Sequence, residues 1–510
     1  MNEIILPLIV GVPLAMAGLT AMAPPTSRVV LPLAFLTLTG LLVVSVLLVA
    51  ETSDGDVLAH SVGGWPAGIA IPFAVDQLTA LMLTATGLLI VVCSWFAVAS
   101  GPGREPLFAP LLLVVTAGVN GALLTADVFN MFVFIEVMLL PSYGLLVLAG
   151  RLRGTNRAVR GSRLYVTFNL FVSTVFLVGV GFVYGTAGTV NLGELAGRAE
   201  ESSAVAAATA VCLVALAMKA ATFPAHGWLT QAYPTTSPAM TALFSGLHTK
   251  VAVYAIYRIY SVVFDGDERY LYLGLIVFSL TMVVGVLGAV GEPTMRSILV
   301  FNMVSGIGYV LVGLALGTAA GLSAGLFYLI HHMIVMASLL MSTGAIEVRR
   351  SSSRLDGVGA FARREPLVAT AFMMAAISLA GLPPFSGFVG KLAIVIAAAD
   401  AGQYAVMTVA VAVSLLTLLS VLKIWDAVFM SSGESRGEAP EGSATAGSGG
   451  GGTATAAAPP RVGMALAGPA LVLAVVSLAL GLGGEGLLHL TDVAAAGLTD
   501  TSDYVAAVLS

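Results

Sequence analysis

The chain contains little charge and very little cysteine. Only 10% of its 510 residues are charged and 58% are hydrophobic, whereas a soluble domain carries about 25% charged residues. This composition excludes an ordinary soluble protein and predicts an all-α polytopic membrane protein. The two cysteines lie in separate apolar segments and cannot supply the set of thiolates that an iron–sulfur cluster needs. The sequence therefore predicts neither a cofactor nor a disulfide framework.

Lysine is scarce, and its positions are unusual. The four lysines all lie in apolar stretches: Lys219, Lys250, Lys391 and Lys423. Arginine, by contrast, is almost confined to the short polar gaps. A lysine at the centre of a membrane helix costs about 2.5–3.5 kcal/mol on insertion scales. Because this cost brings no stability, we interpret the intramembrane lysines as functional.

Apolar runs take up most of the sequence. A membrane helix needs about 20 apolar residues, and about 14 segments are long enough. Their approximate limits are 4–22, 29–50, 72–99, 106–124, 128–149, 164–186, 204–228, 237–262, 270–290, 294–316, 320–345, 366–398, 403–430 and 462–486. The N-terminus lacks a basic region and a cleavage site, so we interpret it as a retained first helix. Residues 431–460 are rich in Gly, Ser, Ala and Pro and are predicted to be a flexible linker.

The arginines predict the orientation in the membrane. The loop 151–163 contains five arginines and is taken as cytoplasmic by the positive-inside rule. Alternation of the spans then puts most other arginines, including Arg296, on the same side, and the acidic loop 51–60 on the opposite side. Both termini are therefore predicted to face outward. The composition, rich in Ala, Gly and Val and poor in lysine, favours a GC-rich bacterium, so the predicted location is a bacterial plasma membrane.

The order of the spans predicts two inverted five-helix repeats. Spans four to eight (106–262) and nine to thirteen (270–430) each cross an odd number of times, so one is inverted relative to the other. An N-terminal three-helix segment (1–105) precedes them, and a C-terminal helix (461–510) follows the linker. The matching helices contain PAHGW at 224–228 and PFSGF at 384–388. Proline and glycine predict breaks in the seventh and twelfth helices, which indicate an ion path.

Ionisable side chains lie inside spans five, seven, eight, eleven and twelve. They predict a row that extends over both repeats and comprises Glu136, Lys219, His248, Lys250, His332 and Lys391. A buried lysine exchanges protons because burial opposes its charge while a nearby carboxylate favours it. Histidine titrates near neutral pH, whereas arginine stays charged. Lysine inside the helices and arginine in the loops is the arrangement that a proton path requires.

The same residues also have structural interpretations. The lysines could form static charge pairs, with Glu136 as a partner. His331, His226 and Lys423 are further candidates for the path. Neighbours on a helix point about 100° apart, so one of His331 and His332 is expected to face the path and the other to pack. The remaining structural interpretations are a helix cap for His226, snorkelling with a pair to Asp426 for Lys423, snorkelling for Arg258, and contact with water for Asp76 and Asp127.

The motifs around these residues resemble a known family. The stretches FVFIEVMLLPSYGLL, MKAATFPAHGWLTQAYPTTSPAMTALFSGLHTKVAVYAIYR and GLPPFSGFVGKL look like the antiporter-like subunits shared by respiratory complex I and Mrp-type multisubunit sodium/proton antiporters. The resemblance covers nearly the whole chain and implies the same helix count, inverted repeats and helix breaks. It also implies a pair between Glu136 and Lys219. By the same resemblance, Lys250, His332 and Lys391 are the eighth-, eleventh- and twelfth-helix members of a proton path.

Within the family, GLHTKVAVYAIYR, PPFSGFVGKL and the chain length look most like the D subunits of Mrp antiporters. This implies a subunit that couples inward proton flow to sodium export and assembles with other subunits in the bilayer. The alternatives are a membrane-arm subunit of a redox-driven NADH–quinone oxidoreductase and a non-conducting scaffold. Many relatives carry a lysine where this chain has Met336, which leaves open whether the central relay uses a lysine or depends on His332 and water. The sequence contains no carboxylate cluster for sodium or another metal, so sodium is expected to cross elsewhere.

Overall fold

The fold is built almost entirely of helices. The computed structural model describes residues 3–24, 26–65, 70–151, 156–350, 352–356, 361–430 and 462–510. The first half contains α1 (Ile5–Met22), α2 (Val30–Glu51), α3 (Gln77–Ser100), α4 (Phe108–Leu124), α5 (Val128–Arg151), α6 (Asn156–Ala187), α7 (Leu192–Leu195), α8 (Arg198–Glu201), α9 (Ser203–Lys219), α10 (Gly227–Ala232) and α11 (Pro238–Phe264). The second half contains α12 (Leu271–Gly291), α13 (Met295–Ala315), α14 (Ala319–Arg350), α15 (Phe361–Arg364), α16 (Pro366–Ala380), α17 (Ser386–Asp400), α18 (Tyr404–Trp425), α19 (Met464–Leu482), α20 (Gly484–Thr499) and α21 (Ser502–Leu509). The predicted linker, 431–460, lies outside the described residues.

Many of these helices can cross a membrane. Among the described residues, ten are long and apolar enough: α1, α2, α3, α5, α6, α12, α13, α14, α18 and α19. Three more, α4, α9 and α16, are apolar but shorter. The 27-residue α11 is a continuous helix whose apolar sequence contains His248, Lys250 and Arg258. The chain is therefore a polytopic α-helical membrane protein.

A small hairpin, which the sequence did not predict, connects α2 to α3. Strand β1 (Leu58–Ser61) pairs antiparallel with β2 (Pro72–Val75), so that Leu58 lies opposite Val75. The third helix consequently begins at Gln77 rather than at residue 72. Asp76 caps this helix, because its carboxylate accepts a hydrogen bond from the Thr79 amide at 3.0 Å.

Helix α14 lies at the centre of the molecule. It packs against α3, α11, α13, α16, α17, α19 and α20, and its membrane-spanning part is wholly buried. A helix surrounded by other helices can carry polar groups that lipid would exclude. His331 and His332 are on this helix, and each exposes 0% of its surface.

Two helix pairs use glycine in the same way. The sequence G-V-x-G-A occurs in α4 and again in α12. A Cβ at Gly118 would strike the backbone of Met138 on α5, and one at Gly285 would strike the backbone of Ser305 on α13. The second glycine of each motif, Gly121 or Gly288, lies against a phenylalanine ring of the same neighbouring helix. Each contact in the second half follows its counterpart at one constant spacing along the chain.

Two helices end inside the molecule at the predicted motifs. The chain leaves α9 after Lys219 and becomes helical again at Gly227. It leaves α16 after Ala380 and resumes at Ser386. Both connecting segments contain a cis proline, Pro224 or Pro384. Because the last carbonyls of a helix have no partner within the helix, each break creates a buried polar helix end.

Candidate functional site

Lys219 is the last residue of α9 and lies at the first break. It is only 3% exposed, and its Nζ donates a hydrogen bond to Asn169 Oδ1 at 3.3 Å. The C-terminal end of α9 favours a positive charge at this position. Glu136 on α5 interacts electrostatically with Lys219, but no hydrogen bond or ion pair joins them in the described part of the chain. One oxygen of Glu136, Oε1, is buried without a hydrogen-bond partner.

His248 connects three helices close to Lys219. On α11, its Nε2 lies 2.9 Å from Ser142 Oγ of α5, and its Nδ1 lies 2.7 Å from Tyr165 OH of α6. Its ring also stacks on Phe244, with centroids 4.5 Å apart. Asn169, the partner of Lys219, is one helical turn from Tyr165 and donates to its carbonyl at 2.9 Å. Hydrogen bonds therefore link the surroundings of Lys219 to those of His248.

Lys250 and His332 form the middle of the site. Lys250 exposes 0% of its surface, and its Nζ is 3.3 Å from Thr249 Oγ1. His332 interacts electrostatically with Lys250 across the interface of α11 and α14. Its ring lies directly against Gly306 and next to the backbone of Asn302 on α13. Both ring nitrogens of His332 are buried.

Lys391 lies at the second break. Its Nζ donates to Ala380 O at 3.3 Å, which is the carbonyl at the end of α16, and to Ser414 Oγ at 3.1 Å. The ammonium group is also 5.2 Å from the centre of the Tyr309 ring, a cation–π distance. His331 interacts electrostatically with Lys391. Both broken helices thus end beside a lysine.

The predicted ionisable residues form a series within the molecule. Electrostatic neighbours lead from Glu136 to Lys219 and His248, and from Lys250 through the two histidines of α14 to Lys391. The two parts meet on α11, where His248 and Lys250 are two residues apart and lie on different faces of the helix. We call this series the lysine–histidine row; it comprises Glu136, Lys219, His248, Lys250, His332, His331 and Lys391. Both histidines of α14 have charged neighbours in the row.

Two candidates lie outside the row. His226 occupies the N-cap position of α10, but its side chain makes no capping hydrogen bond and lies between the rings of Phe223 and Phe301. Lys423 does not form the predicted pair with Asp426. Its Nζ donates to the carbonyls of Val290 and Glu292, each at 2.8 Å. Lys423 therefore satisfies the C-terminal end of α12.

The prediction that Arg258 snorkels to the surface was wrong. Arg258 exposes 0% of its surface, and its Nη2 donates to Asp76 Oδ1 at 2.6 Å. Its guanidinium lies 4.3 Å from the centre of the Tyr504 ring on α21, which covers this end of α11. Asp76 is likewise buried rather than facing water. Burial alone would raise the pKa of the Asp76 carboxyl, but Arg258 and the hydrogen bonds of Thr79 outweigh it and lower the pKa.

A second buried ion pair was also missed. Arg296 was predicted only to lie on the cytoplasmic side. Its guanidinium donates to both carboxylate oxygens of Glu347 and to the carbonyls of Pro234 and Thr236. Both side chains of the pair are 2% exposed. This pair ties the start of α13 to the end of α14 and to the segment that follows α10. It joins α14, which carries the two histidines of the row, to α13, and neither residue of the pair belongs to the row.

The row also has three neutral partners that the sequence did not predict: Ser142, Tyr165 and Asn169. The sequence could have indicated Asn169, because it places an amide side chain in the middle of the apolar stretch YVTFNLFV. Tyr165 and Asn169 are four residues apart and therefore share one face of α6. Serine and tyrosine are common in membrane helices, so the other two carry no comparable signal.

The chain is similar to known proteins over most of its length. The model of the family described as NADH:quinone oxidoreductase/Mrp antiporter, transmembrane, matches residues 125–417. The chain is 38% identical over 392 residues to a protein of Alkalihalophilus pseudofirmus named as the D subunit of an Na(+)/H(+) antiporter, covering 76% of this chain and 79% of that protein. It is 33% identical over 475 residues to the Bacillus subtilis protein of the same name, covering 92% of each.

Solved structures have the same fold. A chain of the Mrp complex from Dietzia sp. superposes with a TM-score of 0.93 at 52% identity, covering 100% of both chains. A chain of respiratory complex I from Thermus thermophilus superposes with a TM-score of 0.78 at 21% identity, covering 97% of this chain and 99% of that one. At 21% identity the second likeness concerns the fold alone. The family match and the curated relatives assign this chain to the NADH:quinone oxidoreductase/Mrp antiporter family of membrane proteins.

Proposed function

We propose that the chain is the D-type, proton-translocating subunit of a multisubunit monovalent cation (Na+)/proton antiporter. The observation that carries this proposal is the lysine–histidine row, which joins two helix breaks through the buried centre of the molecule. Relatives named as D subunits of Na(+)/H(+) antiporters support the antiporter assignment. The likeness to a chain of an Mrp complex supports partner subunits.

In the proposed mechanism, protons pass between the lysines and the histidines one step at a time. A lysine transfers a proton to a neighbouring imidazole, becomes neutral, and is reloaded from the other side. Among the residues that the structure describes, Lys250 and Lys391 have only neutral hydrogen-bond partners, so no carboxylate there fixes their charge. Moving one charge across 100 mV involves about 2.3 kcal/mol, so several sites of similar energy are needed.

The proposed architecture has about 14 membrane spans, which include two inverted five-helix repeats, 106–262 and 270–430. The equivalent glycine contacts of α4 with α5 and of α12 with α13 support the repeats, as do the two breaks. We assign 1–105 and 461–510 as flanking segments. The contact of Arg296 with the carbonyl of Thr236 joins two connections predicted to be cytoplasmic. This contact supports the placement of both connections on one side of the membrane, and the arginine-rich loop 151–163 assigns that side to the cytoplasm. Both termini are accordingly proposed to face outward from a bacterial plasma membrane.

The alternative, a membrane-arm subunit of a redox-driven pump, shares the same fold. It predicts transport that depends on electron flow and copurification with flavin and iron–sulfur subunits. Higher identity to the antiporter subunits than to the complex I chain favours the antiporter. A scaffold without conduction predicts that every variant in the row transports normally.

The test compares two lysine-to-arginine variants in everted vesicles of a host that lacks its own antiporters. The chain is expressed with its genomic neighbours, and sodium-dependent collapse of a pH gradient is measured. Lys391→Arg keeps the charge at the end of α16 but cannot release a proton, so activity should be lost. Lys423→Arg is the matched control outside the row and should retain activity. Full activity of Lys391→Arg would refute the proton path. Transport by the wild-type complex that depends on electron flow would favour the redox-driven pump.

A further inference from the structure

Three buried serine hydroxyls extend from His331 to α19. Ser386 Oγ lies 2.8 Å from His331 Nδ1, and Ser477 Oγ lies 2.9 Å from Ser386 Oγ. Ser378 Oγ completes the series, 2.8 Å from Ser477 Oγ. Each serine exposes 0% of its surface. We call Ser378, Ser386 and Ser477 the serine triplet; it joins α16, α17 and α19 to the central helix α14.

The serine triplet is not ordinary helix packing. A buried serine in a helix usually donates to the carbonyl one turn earlier, as Ser45, Ser94 and Ser142 do here. The members of the triplet have as hydrogen-bond partners only one another and His331, within the described residues. Because a buried hydroxyl without a partner is costly, the three depend on one another. Removing the middle hydroxyl therefore affects both ends.

The triplet has a preferred direction. Nδ1 of His331 meets Ser386, whereas Nε2 is buried without a partner. With the proton on Nδ1, the donor left without an acceptor is the Ser378 hydroxyl, which can rotate; with the proton on Nε2, it is a fixed ring N–H of an imidazole that interacts with the positive charge of Lys391. The proton of neutral His331 therefore belongs on Nδ1. Nδ1–H then donates to Ser386, the Ser386 hydroxyl to Ser477, and the Ser477 hydroxyl to Ser378. Aligned hydrogen bonds of this kind strengthen one another.

We propose that Ser477 is a positioning residue for proton transfer: through Ser386 it holds the proton of neutral His331 on Nδ1 and leaves Nε2 free to exchange protons. The proposal rests on the proposed function. During transfer, Nε2 takes up one proton from a neighbour in the lysine–histidine row and later releases it to the row. The Nδ1 proton and the three hydroxyl hydrogens stay where they are, so no proton leaves through the triplet. Helix α19, outside both proposed repeats, thereby takes part in transport.

The experiment uses the complete complex in everted vesicles. Ser477→Ala removes the hydrogen bonds to Ser386 and Ser378, and the one to Ser386 supports His331. The maximal antiport rate should fall about tenfold, the effect expected from that single hydrogen bond. The amount of assembled complex and the sodium concentration at half-maximal rate should not change. Ser477→Thr retains the hydroxyl and should restore most of the rate. The matched control is Ser338→Ala, because Ser338 joins α14 to the same helix α19, donating to Ala470 O at 2.8 Å, without contacting His331.

Three outcomes would overturn the proposal. The first is an equal antiport rate for Ser477→Ala and Ser338→Ala. The second is a Ser477→Thr complex that is as slow as Ser477→Ala. The third is a wild-type antiport rate for Ser378→Ala. The last variant decides the matter if Ser477→Ala does not assemble. The Lys391→Arg variant, measured in parallel, separates this proposal from the proposed function. If Lys391→Arg is inactive and Ser477→Ala is normal, only the role of Ser477 is refuted; if Lys391→Arg is fully active, the proton path itself is refuted.

Discussion

Replacing Gly306 by alanine should displace the ring of His332 and slow proton transfer. A Cβ at this position would overlap Nε2 and Cδ2 of the ring and would lie 2.8 Å from Cε1. Carbon atoms in contact are normally about 3.5–4.0 Å apart. The surrounding helices are buried and close-packed, so neither α13 nor α14 can simply move away. The substitution therefore acts mainly on the imidazole.

The size of the effect follows from this geometry. The ring has to move by about 1 Å, and a misplacement of that size can lower a rate about 100-fold. Overpacking also costs stability, typically about 1–3 kcal/mol. The amount of assembled complex must therefore be measured together with transport.

The assay is sodium-dependent collapse of a pH gradient in everted vesicles, expressed per assembled complex. Gly288→Ala is the matched control, because its Cβ would strike the ring of Phe301, an apolar side chain outside the lysine–histidine row. Gly40→Ala is the neutral control, since a Cβ there meets nothing within 4 Å. We expect the loss of rate per complex in Gly306→Ala alone. Equal rates per complex for Gly306→Ala and Gly288→Ala would refute the reasoning.

Three further predictions concern the surroundings of the row. Asn169→Leu removes the hydrogen-bond acceptor of Lys219, and antiport in vesicles should fall about tenfold. Glu347→Ala leaves Arg296 buried without its carboxylate, and the free energy of unfolding of the purified chain should fall by about 3–5 kcal/mol. Asp76→Asn should lower the thermal-unfolding midpoint at neutral pH. Burial alone would raise the pKa of the Asp76 carboxyl, but Arg258 and the hydrogen bonds of Thr79 together lower it by more, so the pKa lies below the ordinary 3.8. The ionised carboxylate therefore stabilises the fold above about pH 4 and loses this effect as the pH falls through its folded-state pKa, so the two midpoints should converge in acid.

The sequence was sufficient for those features that depend on composition and local chain chemistry. Long apolar runs require a membrane, and Pro with Gly breaks a helix wherever the fold places it. The isolated lysines were informative for a similar reason, since burial of a charge is expensive in any fold. The two breaks, at 220–226 and 381–385, accordingly lie where the motifs predicted them.

The sequence was insufficient where a side chain had a choice of partners. Arg258 and Lys423 both looked like snorkelling residues near helix ends. The structure covers Arg258 with α21 and pairs it with Asp76, whereas Lys423 reaches the carbonyl end of α12. These partners are more than 100 positions away in sequence. No local pattern specifies such a contact, because it depends on how distant helices pack.

The sequence alone thus determined the membrane-embedded helical architecture, the family and the set of ionisable residues within the apolar segments. Only the tertiary structure decided how those residues are arranged. It separated Lys219 from direct contact with Glu136, enclosed both histidines of α14, and joined His331 to Ser477. The physical reason is the range of the forces involved. Transfer from water to lipid acts on each residue by itself, whereas a hydrogen bond requires two atoms within about 3 Å, which only packing can provide.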